Sequence, residues 1–172
     1  MAQRTDLFDV APLHLRAGEG RRLDLETEIA PFSLGAETYE VTPSSIPVTL
    51  DVSRMTGGGL ALRLRFATEL DGPCMRCLEP AAPRFEIDVR EVEQADGGPE
   101  LDSPYVEGEL IDVAAWARDA LALALPQQVL CTAECRGLCA ICGENLNTAG
   151  PEHHHEKDRD PRWAKLDELR FE

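Results

Sequence analysis

The sequence predicts an α+β fold: a mostly antiparallel β-sheet, one helix packed on it, and a C-terminal cysteine-rich element that reads as a zinc site. Three observations predict it. Apolar and polar residues alternate with period two in several runs between residues 20 and 93, the habit of strands with one buried and one wet face. A single stretch with helical spacing follows, and four of the six cysteines crowd into the dozen residues from Cys131 to Cys142.

The strand runs come in order. RRLDLETEI alternates from Leu23 to Ile29, PVTLDVS through Val48, Leu50 and Val52, and LALRLRF through Leu60, Leu62, Leu64 and Phe66. RFEIDVREV alternates through Phe85, Ile87 and Val89, then slips by one to Val92. Gly57, Gly58 and Gly59 separate two of these runs and predict a hairpin turn, since glycine tolerates positive φ.

Residues 94–110 read as a mobile acidic loop carrying Gly97, Gly98, Pro99 and Pro104. The helix follows at about residues 113–125. Asp112 is its candidate cap, Val113, Trp116, Ala117, Ala120, Leu121 and Ala124 form its apolar stripe, and Pro126 ends it. Only Arg118 and Asp119 on it are charged, which predicts broad packing against the sheet with Trp116 in the core. The chain thus divides into a β-rich domain with its helix, residues 1–126, and a Cys-rich element with a polar tail, residues 127–172. Trp163, Leu166 and Leu169 suggest a short closing helix.

Charge excludes some functions. Seventeen basic and 32 acidic residues leave a net charge of −15. That opposes a non-specific grip on nucleic acid and docking to an anionic membrane, and favours a basic partner. Residues 91–112 hold eight carboxylates and no Lys or Arg, more than half of the excess. The N-terminal residues lack the apolar core of a signal peptide, and the longest apolar stretch, Ala114–Leu125, is interrupted and short. The expected location is the cytoplasm.

Paired thiols without a secretory signal read as metal ligands or redox groups. GPCMRCLEP places Cys74 and Cys77 at a turn between strands, and GLCAICGENLN places Cys139 and Cys142 at another. Zinc takes four tetrahedral soft ligands. Cys131, Cys135, Cys139 and Cys142 are the preferred set, because a local site needs no long-range closure. The alternative set pairs the two turns: Cys74, Cys77, Cys139 and Cys142. One zinc per chain is expected under either. The run His153, His154, His155 reads as a solvated tail, with imidazole ligation as the competing possibility.

No nucleophile elbow, metalloprotease helix or phosphate loop is present, so no catalytic residue is expected. A CxxC thiol–disulfide redox protein is the enzyme-class alternative. Its first cysteine needs a helix N-terminus to stabilise the thiolate, and CMRC lies between strands.

CMRCLEP between β-runs, the IDVAAWARDALALALP helix, GLCAICGENLN and a closing DPRWAKLDEL together resemble the YceD family of large ribosomal RNA subunit accumulation proteins. The resemblance spans residues 20–170. It implies a cytoplasmic, non-catalytic ribosome-biogenesis factor supporting accumulation of large-subunit ribosomal RNA. Combined with the acidic charge, it suggests a basic ribosomal protein or an early large-subunit particle as partner. A zinc-containing RNA-binding module is a further alternative. Arg63, Arg65, Arg76 and Arg84 are its candidate basic face, or else strand positions balanced by neighbouring acids.

Overall fold

The structure is a computed structural model that describes residues 3, 4, 6–94, 98 and 101–155. The expected Trp163 helix, Asp96 and Glu100 lie outside the described residues. Among the described residues, eleven strands and one α-helix make an α+β architecture, mostly antiparallel, as the sequence predicts. The strands are β1 (Gln3–Arg4), β2 (Leu7–Asp9), β3 (Gly20–Thr27), β4 (Phe32–Leu34), β5 (Glu37–Thr42), β6 (Ile46–Arg54), β7 (Leu60–Pro73), β8 (Pro80–Ala81), β9 (Arg84–Glu93), β10 (Val106–Glu107) and β11 (Leu110–Asp112), followed by helix α1 (Val113–Ala124).

The 14-residue β7 organises the main sheet. It pairs with β6 over Leu60–Phe66 and with β5 over Glu69–Asp71, and with β9 over Leu60–Glu69, always antiparallel. β3 extends the sheet beyond β6, and the short β1 adds a parallel pair at that end. Along β7 the even-numbered residues from Leu60 to Leu70 are buried and the intervening ones are not, so one face is core and the other wet. Fully burying a Leu or Phe contributes roughly 1.5–3 kcal/mol, which is what holds this register. The triple glycine turns β6 into β7 with positive φ at all three positions. At Gly59 a Cβ would also overlap the Glu93 carbonyl oxygen, so the strand closest to the turn requires glycine there.

The wet face is a ladder of opposite charges. Arg22 Nε donates to Asp51 Oδ1 at 2.7 Å and Arg65 donates to Asp51 Oδ2 at 2.8 Å. Arg63 pairs with Asp88, and Arg84 lies 4.0 Å from Glu86. The Arg22 bond and charge hold the Asp51 carboxyl below the usual range against burial. Arg63 and Arg65 take the balanced reading and face carboxylates across the strands; Arg84 lies beside Glu86 of its own strand, and Arg76, on the turn after β7, donates to Gln128 Oε1 and Cys135 O instead.

β9 does not slip at Val92. Its register against β7 is unbroken to Glu93, so Val92 stands on the outer face, 39% exposed. Glu93 stays on the other face because its carboxylate accepts a hydrogen bond from Ser103 N at 2.7 Å. That bond fixes the far side of the acidic stretch. Residues 106–112 form an antiparallel ribbon, β10–β11, which pairs with β2. Arg54 donates twice to the Glu109 carboxylate, at 2.9 and 2.7 Å. The second half of the stretch read as mobile is thus built into a three-stranded ribbon, because Ser103 and Ile111 are buried and Glu109 has a partner.

Asp112 caps α1 as expected, its carboxylate accepting from Ala115 N at 2.8 Å. Val113, Trp116, Ala117, Ala120 and Leu121 are buried, and Trp116 stacks on Tyr105 at a 6.0 Å ring separation. The packing is narrower than the low charge predicts: Leu123 is 88% exposed. None of the described helices is long and apolar enough to cross a membrane. The helix delivers the chain at Leu125 to the end of β7, where the first cysteine pair lies.

Candidate metal centres

Cys74 and Cys77 sit on the turn that leaves β7. Cys74 N donates to Glu79 O at 2.8 Å, and Leu78 N returns to Cys74 O at 3.0 Å. Leu78 closes the turn at a left-handed φ of 62°. The second CxxC makes the same turn. Cys139 N donates to Glu144 O at 2.8 Å, Gly143 N donates to Cys139 O at 2.8 Å, and Gly143 has a φ of 75°. In both turns, backbone N–H groups two and three residues on face the first sulfur. Those of Cys142 and Ile141, with His153, bring the Cys139 thiol down to about 6. Burial opposes ionisation of Cys74, yet the N–H groups of Cys77 and Arg76 carry it down to about 6 as well. Each turn could supply half of a ligand set.

A leucine in the left-handed region is strained by roughly 1–2 kcal/mol, and Leu78 is 65% exposed with little packing to lose. Leu78→Gly is expected to raise the unfolding free energy by up to about 1 kcal/mol, glycine's extra chain entropy offsetting part of the relief. Denaturant titration checks it; a destabilised variant contradicts it.

The structure completes each half with a different pair, and gathers neither predicted foursome. Cys74 and Cys77 meet Cys131 and Cys135, all four Sγ atoms within 4.8 Å of one another. Cys74 Sγ lies 3.7 Å from Cys135 Sγ, and Cys77 Sγ lies 3.5 Å from Cys131 Sγ. Cys139 and Cys142 meet His153 and His155, their ligand atoms also within 4.8 Å of one another. Cys131 and Cys135 therefore stand apart from Cys139 and Cys142, although the two pairs are neighbours along the chain. The cause is a set of long-range backbone bonds. Met75 N donates to Val129 O at 2.9 Å, and Leu138 N donates to Arg76 O at 3.2 Å. They lay the segment after α1 across the first turn, and buried Val129 anchors it.

The first foursome is mostly closed to solvent: Cys74, Cys77 and Cys135 are at most 3% exposed, and Cys131 is half-buried. Arg76 spans its edge, donating to Gln128 Oε1 at 2.9 Å and to Cys135 O at 3.1 Å. Asn147 Nδ2 lies 3.3 Å from Cys135 Sγ, while Asn147 Oδ1 accepts from Arg136 N at 2.7 Å. The Asn147 bond is the chief cause of the lowered Cys135 thiol. Four thiols this close cannot all ionise unaided. The backbone N–H of Glu79 favours the Cys77 thiolate, but burial and the neighbouring sulfurs push that thiol up to about 12. A divalent cation would take up the remaining charge. A tetrahedron with metal–sulfur bonds of about 2.3 Å has edges of about 3.8 Å, close to the separations found. A disulfide needs about 2.05 Å, and all six cysteines are free thiols.

Glu144 and Asn147 are site residues that the sequence reading passed over, and Arg76 was read only as part of a candidate basic face. The ENLN run after the second turn was the visible signal for the first two, since Asn147 reaches the first foursome and Glu144 the second.

These features define a class: a small α+β protein whose C-terminal segment is fastened to its sheet through paired cysteine turns. The chain belongs to the family described as Large ribosomal RNA subunit accumulation protein YceD, which matches residues 62–170. Among its relatives, an uncharacterized protein of Mycobacterium tuberculosis (strain H37Rv) and one of Mycobacterium bovis are each 32% identical, covering 94% of this chain and 79% of their own. One from Mycobacterium leprae is 41% identical over 95% of this chain and 76% of its own. No solved structure matches the chain.

Proposed function

We propose that this protein is a non-catalytic, cytoplasmic factor in large-subunit ribosome assembly, that zinc held by Cys74, Cys77, Cys131 and Cys135 fastens its C-terminal segment, and that it acts by binding a basic ribosomal protein or an early large-subunit particle. Family membership over residues 62–170 is the observation that carries the ribosomal role. Four mutually close sulfurs, three of them buried, support zinc, a tetrahedral ion with affinity for thiolates.

The mode of action rests on charge. Net charge is −15, and the sheet arginines Arg22, Arg63 and Arg65 are already matched by Asp51 and Asp88. A phosphate backbone finds few free cations there, whereas a basic protein finds a surplus of carboxylates. Against a redox enzyme stands the burial of Cys74, which leaves its sulfur closed to a disulfide substrate, and its place on a strand turn rather than at a helix N-terminus.

The deciding experiment is recovery of the untagged-equivalent complex from native lysate, with bound protein and RNA both identified. A basic ribosomal protein or a pre-large-subunit particle is expected, together with a fall in mature large-subunit RNA relative to small-subunit RNA on gene deletion. Association should slow with salt as the Debye length shrinks from roughly 10 Å at 0.1 M to about 3 Å at 1 M. Neutralising exposed Asp102 and Glu107 should lower the on-rate without unfolding; Glu109 is left intact because it binds Arg54. Tight binding to protein-free ribosomal RNA, strengthened by that neutralisation, would overturn the proposed mode.

A further inference from the structure

We infer that Cys139, Cys142, His153 and His155 form a second, separate zinc site, so that the chain holds two ions of different ligand chemistry, one all-sulfur and one with two sulfurs and two imidazoles. The inference is independent of the ribosomal reading.

Four observations carry it. The two sulfurs and two ring nitrogens converge within 4.8 Å. Cys142 Sγ lies 3.8 Å from His153 Nε2 and 3.3 Å from His155 Nε2. With bonds of about 2.3 Å to sulfur and about 2.05 Å to nitrogen, a tetrahedral ion separates S from N by about 3.5 Å, between those two values. The rings of His153 and His155 meet edge to face with centroids 4.9 Å apart, so both present an Nε2 to one point without stacking over it.

The third observation is the partner of His153. Its Nδ1–H donates to Glu144 Oε2 at 2.7 Å, and the ring side chain is only 14% exposed. That bond fixes the tautomer with the lone pair on Nε2, and a carboxylate behind a histidine is the usual support for a zinc ligand. Glu144 follows the CxxCG turn directly and its backbone carbonyl also closes that turn, so turn and histidine are fixed by one residue. Fourth, the middle histidine does not take part. His154 Nδ1 bonds Glu152 O at 2.7 Å, so alternate members of the run serve the site and the one between turns away. A solvated tail has no reason to sort its histidines in that way.

The two sites differ in ways that set their behaviour. Four thiolates around a dication leave a charge of −2, which the N–H groups and Asn147 partly offset; two thiolates and two neutral imidazoles leave none. Three of the four ligands of the first site are buried, whereas Cys142 and His155 are exposed. The second ion should therefore exchange faster and yield first to a chelator.

The test is zinc content and cobalt substitution on the full-length chain without an affinity tag, since a tag would add histidines. Wild-type protein at zinc saturation should hold two equivalents and the double variant His153→Ala, His155→Ala one. Cobalt in that variant should show the absorption of an all-sulfur tetrahedral site alone, and the difference from wild type should show a mixed sulfur–nitrogen site. Circular dichroism of the variant controls for its fold, and His155→Gln alone serves if the double variant does not fold. Glu144→Gln should weaken the second zinc by roughly 10–100-fold and leave the first unchanged. One equivalent in wild type at saturation, or two retained in the histidine variants, overturns the inference.

Discussion

Replacing Cys77 with alanine is expected to remove one equivalent of zinc and to cost about 4 kcal/mol or more of unfolding free energy. Zinc bound at a structural site contributes directly to folding, with apparent values of roughly 10–16 kcal/mol in small finger peptides. Here the sheet has its own core, so the loss falls on the attachment of residues 126–149. Three strong ligands do not hold the ion as four do, and two of the three sulfurs left behind, those of Cys74 and Cys135, are buried. Cys74→Ala, Cys131→Ala and Cys135→Ala should each reproduce the effect, and a pair of them should cost little more than either alone, because one event releases the ion. Cys139→Ala and Cys142→Ala should leave this site filled. Zinc analysis with denaturant unfolding, each with and without chelator, reads the result. Retention of all bound zinc in Cys77→Ala, with wild-type stability, would refute the foursome.

Trp116→Ala should destabilise the protein by about 3–5 kcal/mol, the range for deleting a buried aromatic side chain. Trp116 is 2% exposed, stacks on Tyr105, and joins the helix to the ribbon that carries it. Neighbours Ala117 and Ala120 are too small to fill the space left. For a chain of this length the melting temperature should fall by roughly 10 °C. The variant should also bind zinc less firmly, since α1 aims the following segment at the first cysteine turn. Leu123→Ala, on the exposed side of the same helix, is the control and should change stability by less than about 0.5 kcal/mol. Equal losses from the two would mean that helix propensity, not packing, dominates.

Different parts of the molecule were legible to different degrees. Period-two alternation exposed β3, β6, β7 and β9, because a sheet with one wet face repeats its burial every second residue. Asp112 and Pro126 bounded α1, because capping and the missing proline N–H act within a turn of the chain. Val92 misled the reading of β9: an apolar residue on the outer face looks like a slip, and only the Glu93–Ser103 bond shows why the register holds. The acidic stretch misled by composition. Carboxylates and prolines read as mobile, yet Ser103, Ile111 and Glu109 find burial or a partner from strands distant in sequence.

The cysteines mark the boundary most clearly. By itself the sequence determined that two CxxC turns exist and that they lie between β-elements or in the Cys-rich segment, with ligand chemistry favoured over core thiols. Turn geometry is local, fixed by residues within five positions of the first cysteine. Only the tertiary structure decided which pair completes each half. Proximity along the chain favoured Cys131 and Cys135 with Cys139 and Cys142, since a short loop costs less entropy to close. That cost grows only slowly with length, and the bonds from Met75 to Val129 and from Leu138 to Arg76, with Val129 buried beneath them, outweigh it. Six cysteines and two of the three histidines then fall into two foursomes rather than one foursome and a remainder. That sorting follows from where the folded sheet and helix place the segment, which no local pattern records.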